Sequence, residues 1–292
     1  TLALNHSQNT ITHDIRITTP DFSFNVSRIN PFKRKNAVGP QRWYEKIGTS
    51  YSLRGTNYIE TKDSLLFRNE SINEFKNGLQ HTIPFSTSFN VLSYFNLSPS
   101  FNYTERSYFK TTQYSWDTDS EKVDTFEVKK FQSARDYQVS AGLTTRIYGM
   151  YQFNHGPIVA LRHVMTPSAS FSIRPDFGKE KYGYYKNVQV DTTGRTQRYS
   201  IFQNSVYGGP SSGQYANLGF SLDNNLEMKV KTNSDTGAVV KIVKILESLR
   251  LAGSYNLIAD SMKLSVINVN GRTSILDRVT INFGGALNPY SF

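Results

Sequence analysis

The stretch ANLGFSLDNNLEMKVK, residues 216–231, decides the fold. Taken alternately, its residues fall into two rows. One row holds Ala216, Leu218, Phe220, Leu222, Asn224, Leu226, Met228 and Val230; the other holds Asn217, Gly219, Ser221, Asp223, Asn225, Glu227, Lys229 and Lys231. A period of two is the signature of a β-strand with unlike faces. All four charges, Asp223, Glu227, Lys229 and Lys231, sit in the second row. Strands of globular sandwiches run about 5–6 residues, and this phase holds for far longer. A strand that crosses a bilayer spends about 9–11 residues in hydrocarbon. There a charge facing lipid near the midplane costs roughly 2–4 kcal/mol, whereas the opposite face borders a polar interior. The expected fold is therefore all-β: an antiparallel transmembrane β-barrel with long strands.

The same alternation recurs along the chain. Tyr137, Val139, Ala141, Leu143, Thr145, Ile147, Gly149, Tyr151 and Phe153 share one row, with Gln138, Ser140, Thr144, Arg146 and Gln152 in the other. The rings of Tyr137, Tyr151 and Phe153 read as an aromatic girdle near strand ends. Further alternating segments cover 21–29, 43–58, 83–91, 95–103, 249–259 and 279–287. Turn-rich stretches separate them, among them INPFKRKNAVGP, SWDTDSEKVD, QVDTTGRTQR and VYGGPSSGQ. A dozen or so long strands are expected.

Two segments test this reading. In LRHVMTPSASFSIRPDF, residues 161–177, one row is Met165, Pro167, Ala169, Phe171, Ile173 and Pro175, assigned to the lipid side. Thr166, Ser168, Ser170, Ser172, Arg174 and Asp176 form the lumen row. Proline cannot donate to a ladder, so Pro167 predicts a bulge or local gap, and Pro175 the strand end. In GAVVKIVKILESLR, residues 237–250, Val239, Ile242, Val243, Leu246 and Leu249 fall at helical spacing. Its β-branched content disfavours a stable helix, and the segment is expected to be one helical turn or a twisted strand-turn between two strands.

Composition narrows the classes. Hydrophobic residues are 38% and aromatics 13% of the 292-residue chain, with Ser, Thr and Asn abundant. That is poor in aliphatics for a soluble α/β domain and too rich in rings for a disordered one. With no cysteine, neither a disulfide framework nor a thiolate metal site exists. The formal charge of +10 suits anionic partners, but apart from Lys33–Lys35 the charges are dispersed, so nucleic acid is not an expected partner. No run of apolar residues is long enough for a transmembrane helix.

No chemistry-bearing constellation emerges. The five histidines lack metal-ligand spacing. Asp117, Asp119 and Glu121 begin like a calcium loop, but Lys122 and Val128 stand where glycine and glutamate are needed. Neither a phosphate-binding glycine loop nor a GxSxG elbow is present. The expectation is a protein with no catalytic residues, metal or cofactor.

TRIYGMYQF followed by ALRHVMTPSASFSIRPDF resembles the barrel domain of the LptD family in its Bacteroidetes branch. LNHSQNT, INPFKRKN with QRWYEKI, SVYGG, SYNLIADSMKLSVINVNGRTS and NPY carry the resemblance onward in order. The family-like wall residues are Arg162, His163, Pro167, Tyr207, Gly208 and Gly209; Arg146, Arg174, Asp223, Glu227 and Lys229 are assigned to the lumen. The resemblance implies the outer membrane of a Gram-negative bacterium and lipopolysaccharide as cargo. It further implies an LptE-like lipoprotein plug, periplasmic bridge proteins that deliver the lipid, and contact with outer-membrane lipid. It places residues 1–292 within one barrel domain as an incomplete portion of a larger barrel, with an N-terminal periplasmic jellyroll and some barrel strands outside this sequence. On that reading Phe292 is not a barrel-insertion signal. Two other readings stay open at this stage: a different outer-membrane barrel, such as a porin or nutrient transporter, and a secreted β-rich binding protein.

Overall fold

The computed structural model describes all residues except 37, 67, 69–70, 72–73, 235–236, 276–278 and 291–292, and side chains are also left aside at 232–239 and 275. Phe292 thus lies outside the described residues. Among the described residues the fold is all-β, and no helix is long and apolar enough to cross a membrane.

Seventeen strands follow one another among the described residues: β1 Leu2–Asn9, β2 Asp14–Ile29, β3 Gly48–Lys62, β4 Lys76–Ser86, β5 Phe89–Val91, β6 Phe95–Tyr108, β7 Thr111–Asp117, β8 Lys122–Val128, β9 Gln132–Thr144, β10 Ile147–Gln152, β11 Ile158–Arg174, β12 Tyr185–Gln189, β13 Thr196–Ser200, β14 Tyr215–Ser234, β15 Gly237–Asn256, β16 Ile267–Ile275 and β17 Val279–Leu287. Thirteen of them form one sheet whose main path is β1-β2-β3-β4-β6-β9-β11-β14-β15-β16-β17. β5 pairs with β6 and β10 with β11, and β7-β8 and β12-β13 are separate hairpins. The path follows chain order, the pattern of an up-and-down meander. Among the described residues no ladder joins β1 to β17, so the sheet is not closed.

Packing divides the chain into two compact units. The first comprises Thr1–Ser86, Ser100–Gln138 and Arg174–Gln214, and the second Thr87–Pro99, Val139–Ile173 and Tyr215–Phe292.

In the second unit the ladder explains both unusual segments. β9 and β10 pair with β11 in one register, Thr144 opposite Ser168 and Ile147 opposite Met165, leaving Thr145 and Arg146 outside both strands. Pro167 lies opposite this gap. The Thr145 amide still donates to the Pro167 carbonyl at 3.2 Å, but proline has no N–H to return the second bond of the pair. The alternation at 137–153 is therefore two strands. β11 ends at Arg174, before Pro175.

The expectation for residues 237–250 is overturned: they lie within β15, a strand paired along its length with β14. Leu249 pairs with Asn224, Leu246 with Leu226 and Val243 with Met228, with register shifts on both sides of Leu226. Over the paired span β15 thus carries two more residues than its partner, the definition of bulges. Each bulge skips a residue, converting strand spacing into steps of three that imitate a helix, while Ile242 pairs with Lys229 on the other face. The start expected for the 43–58 strand also shifts, because Trp43–Lys46 is a 3-10 turn that precedes β3. Tyr137 lies inside β9 and packs edge-on to Phe177 at 5.6 Å, so it is no strand-end ring. Tyr151 and Phe153, 4.8 Å apart, do stand at the end of β10.

The substitution Pro167→Ala supplies the missing donor. The expected outcome is a new backbone amide at position 167 that exchanges with solvent as slowly as those of neighbouring ladder residues. Rapid exchange there would contradict the assignment of the gap to proline.

Candidate functional site

In the second unit the residues sort by face. On one face, Leu218 pairs with Tyr255, Leu222 with Leu251, Leu251 with Val269, Gly271 with Phe283 and Thr273 with Ile281. In β11 the same row holds Met165, Ala169, Phe171 and Ile173, paired with Ile147, Leu143, Ala141 and Val139. Much of this row is exposed: Phe220 37%, Ile281 41%, Phe283 47% and Leu287 58%. An apolar face this extensive on an isolated soluble domain would mark an interaction surface.

The opposite face is polar and internally paired. Arg250 reaches Asp223 at 3.4 Å, Arg162 reaches Glu227 at 3.6 Å and Arg272 reaches Glu247 at 3.0 Å. The Ser168 and Ser221 hydroxyls bond at 2.8 Å. Asp223, Glu227 and Lys229 thus share one face, as the alternation required. Arg146 stands exposed in the gap between β9 and β10. His163 belongs to the apolar row, where its Nε2 lies 3.2 Å from Asn224 Oδ1. Asn224 in turn donates to the Leu249 carbonyl at 3.3 Å, so the Asn224 amide is satisfied within the sheet.

The first unit holds the remaining residues singled out in the sequence. Phe22, Gly55 and Leu79 line one face; Arg54, Gln80 and Arg106 line the other. The connection after β11 does not extend as a loop but folds into a small aromatic core. Tyr108, Ala134, Phe177, Tyr184, Val188, Tyr199, Ile201 and Phe202 are buried together. Asp176 closes the neck of this connection: its Oδ1 accepts the Gly178 and Gly213 amides, each at 2.7 Å. These two donors hold its carboxyl below the usual carboxylate range. Arg174 Nη2 lies 3.5 Å from the Gly213 carbonyl.

Tyr207, Gly208 and Gly209 fasten that core to the polar face. Tyr207 shares a 2.9 Å hydrogen bond with the Thr56 hydroxyl, and Tyr108 donates to the Gly208 carbonyl at 2.7 Å. Burial pushes the Tyr207 phenol up. Gly208 has a φ of 65°, a left-handed conformation that suits glycine. At Gly209 a β-carbon would meet Ser200 Oγ at 2.9 Å and Phe202 at 3.0 Å. The six family-like residues therefore do not form one cluster. Three lie in β11 of the second unit and three anchor the folded connection of the first.

Sequence reasoning missed a further feature, a carboxylate clamp between β2 and β3. Glu45 is 1% exposed. Its carboxylate takes Arg34 Nε at 2.6 Å and Nη2 at 3.0 Å, together with the amides of Arg34 at 3.2 Å and Arg42 at 2.7 Å. Two-pronged arginine contact and amide donors favour the ionised form. The Arg34 guanidinium above all, aided by the Arg42 amide, brings the Glu45 pKa down to about 2. Nothing in the spacing of Arg34 and Glu45 announces the pair.

A family model described as LptD protein matches residues 1–290. The chain belongs to the LptD family. No curated protein and no solved structure matches it. LptD membership, with the all-β fold, associates the chain with lipopolysaccharide assembly at the outer membrane.

The Glu45 clamp has a pH signature. Its folded-state pKa, about 2, lies below the ordinary glutamate value of about 4.3. Its stabilisation is complete above that ordinary value and is lost as pH falls through the folded one. Carboxyl NMR of Glu45 should give a midpoint near the lower value, and Glu45→Gln should speed exchange of the Arg34 and Arg42 amides at neutral pH. A midpoint near the ordinary value would contradict the clamp.

Proposed function

We propose that this LptD chain forms wall of a single outer-membrane barrel domain that carries lipopolysaccharide to the outer leaflet as part of an LptD–LptE translocon. The observation that carries the reading is the match over residues 1–290 in an all-β sheet whose Arg162–Glu227 and Arg250–Asp223 pairs gather on one face. On this reading the row of Phe220, Ile281 and Phe283 meets lipid. Arg146, Arg174, Asp223, Glu227 and Lys229 look into the lumen. An LptE-like lipoprotein occupies that lumen, and periplasmic bridge proteins supply the cargo. The role is transport, with no residue assigned to catalysis.

The folded connection favours this reading over an open diffusion pore. Its aromatic core stands against the polar face of β3 and β6, held by Tyr207 on Thr56 and by Tyr108 on Gly208. A constitutive pore needs that face bathed in water. Here part of it is covered.

Depletion of the full-length protein should lower surface lipopolysaccharide while its synthesis continues; unchanged surface lipopolysaccharide would refute the assembly role. The wall assignment makes a separate prediction for β17. Ile281→Arg should destabilise the protein folded in lipid by up to about 4 kcal/mol, depending on depth. Thr280→Arg, on the other face opposite Ser274, should have little effect. Equilibrium unfolding from vesicles reads the difference, and equal costs would contradict the face assignment.

A further inference from the structure

We propose that the segment between β2 and β3 is a docking surface for anionic phospholipid headgroups of the periplasmic leaflet, an inference that rests on the outer-membrane reading above. Residues 30–47 contain five cations, Lys33, Arg34, Lys35, Arg42 and Lys46, against a single acid, Glu45. Glu45 is consumed internally by Arg34 and by two backbone amides. Lys33, Lys35, Arg42 and Lys46 are left on an exposed surface. Large apolar groups stand among them: Val38 is 97% exposed, Trp43 58% and Phe32 55%.

This mixture identifies the partner. Protein interfaces concentrate aromatic residues but are depleted of lysine at their centres. Lysine and arginine interleaved with tryptophan and phenylalanine suit the boundary of an anionic bilayer, where rings sit at headgroup level and cations meet phosphates. The segment is continuous with apolar surface of the sheet. β2 runs into it with Phe24 56% and Ile29 50% exposed, and Phe24 packs edge-on to Tyr51 of β3.

Strand direction selects the leaflet. In the first unit the two longest connections, the one bearing the β7-β8 hairpin and the folded connection 175–214, leave the end of the ladder opposite residues 30–47. Bacterial barrels carry their long connections outside and their shorter ones in the periplasm. That places residues 30–47 at the periplasmic boundary, beside phospholipid. The Glu45 clamp then has a purpose: it fixes the backbone at Arg34 and Arg42, so the four remaining cations are presented without the entropy cost of ordering a free loop.

The test uses full-length protein in nanodiscs, which leave both faces open, made either of phosphatidylcholine alone or of phosphatidylcholine with phosphatidylglycerol. Trypsin cleavage after Lys33, Arg34 and Lys35 is measured against cleavage after Lys179 and Lys181, exposed residues of the folded connection. With phosphatidylglycerol the relative rate should fall roughly five-fold or more, the effect of about one cation held at an anionic surface. It should recover at high salt, where screening is strong. Equal relative rates in the two discs, or a slowing that salt does not reverse, would overturn the proposal. Either result leaves the transport role standing, because that role is read from surface lipopolysaccharide.

Discussion

The structure depends on gathering the charges of the long strands of the second unit onto one face of the sheet, with Lys241, opposite Val230, the exception among the described residues. In water, a face carrying Phe220, Leu251, Ile281 and Phe283 would have to be covered by a second layer. Among the described residues of the second unit no such layer appears, and the row stays exposed. Hydrocarbon is the environment in which that exposure costs nothing, and in which a misplaced arginine is expensive. The polar row follows from the same constraint. Most charges of these strands gather on that face, where Asp223 meets Arg250, Glu227 meets Arg162 and Glu247 meets Arg272.

Much of this could be read from residues alone. β14 and β17 declare themselves because two-residue alternation is both the cause of their faces and the signal in the sequence. β17 begins and ends where its alternation does. Pro167 announced its defect because a missing N–H is a local property. β15 was misread for an equally physical reason. Alternation survives a bulge in space but not in sequence, and two bulges in quick succession leave Val243, Leu246 and Leu249 at the spacing of a helix.

What sequence could not supply was long-range chemistry. The connection after β11 looked like turn-rich loop, since Gly208, Gly209 and Pro210 dominate its end. Its aromatic core is assembled from Tyr108, Ala134 and residues 177–202, with no periodicity to mark it. The Glu45 clamp is likewise invisible until the chain turns back on itself. Family resemblance marked Tyr207, Gly208 and Gly209 without giving a reason. The reason is mechanical: tyrosine provides the hydroxyl that reaches Thr56, and the glycines permit the turn and the close approach to Phe202.

The central claim is that the odd-numbered residues of β17 face lipid and the even-numbered ones face water. Because the chain contains no cysteine, single cysteines can be placed one at a time from Val279 to Leu287 and spin-labelled in the membrane-inserted protein. Collision rates with oxygen, which concentrates in lipid, and with a water-soluble nickel complex should then alternate in opposite phase. Positions 279, 281, 283, 285 and 287 should favour oxygen. A flat profile, or one with the phase reversed, would contradict the account.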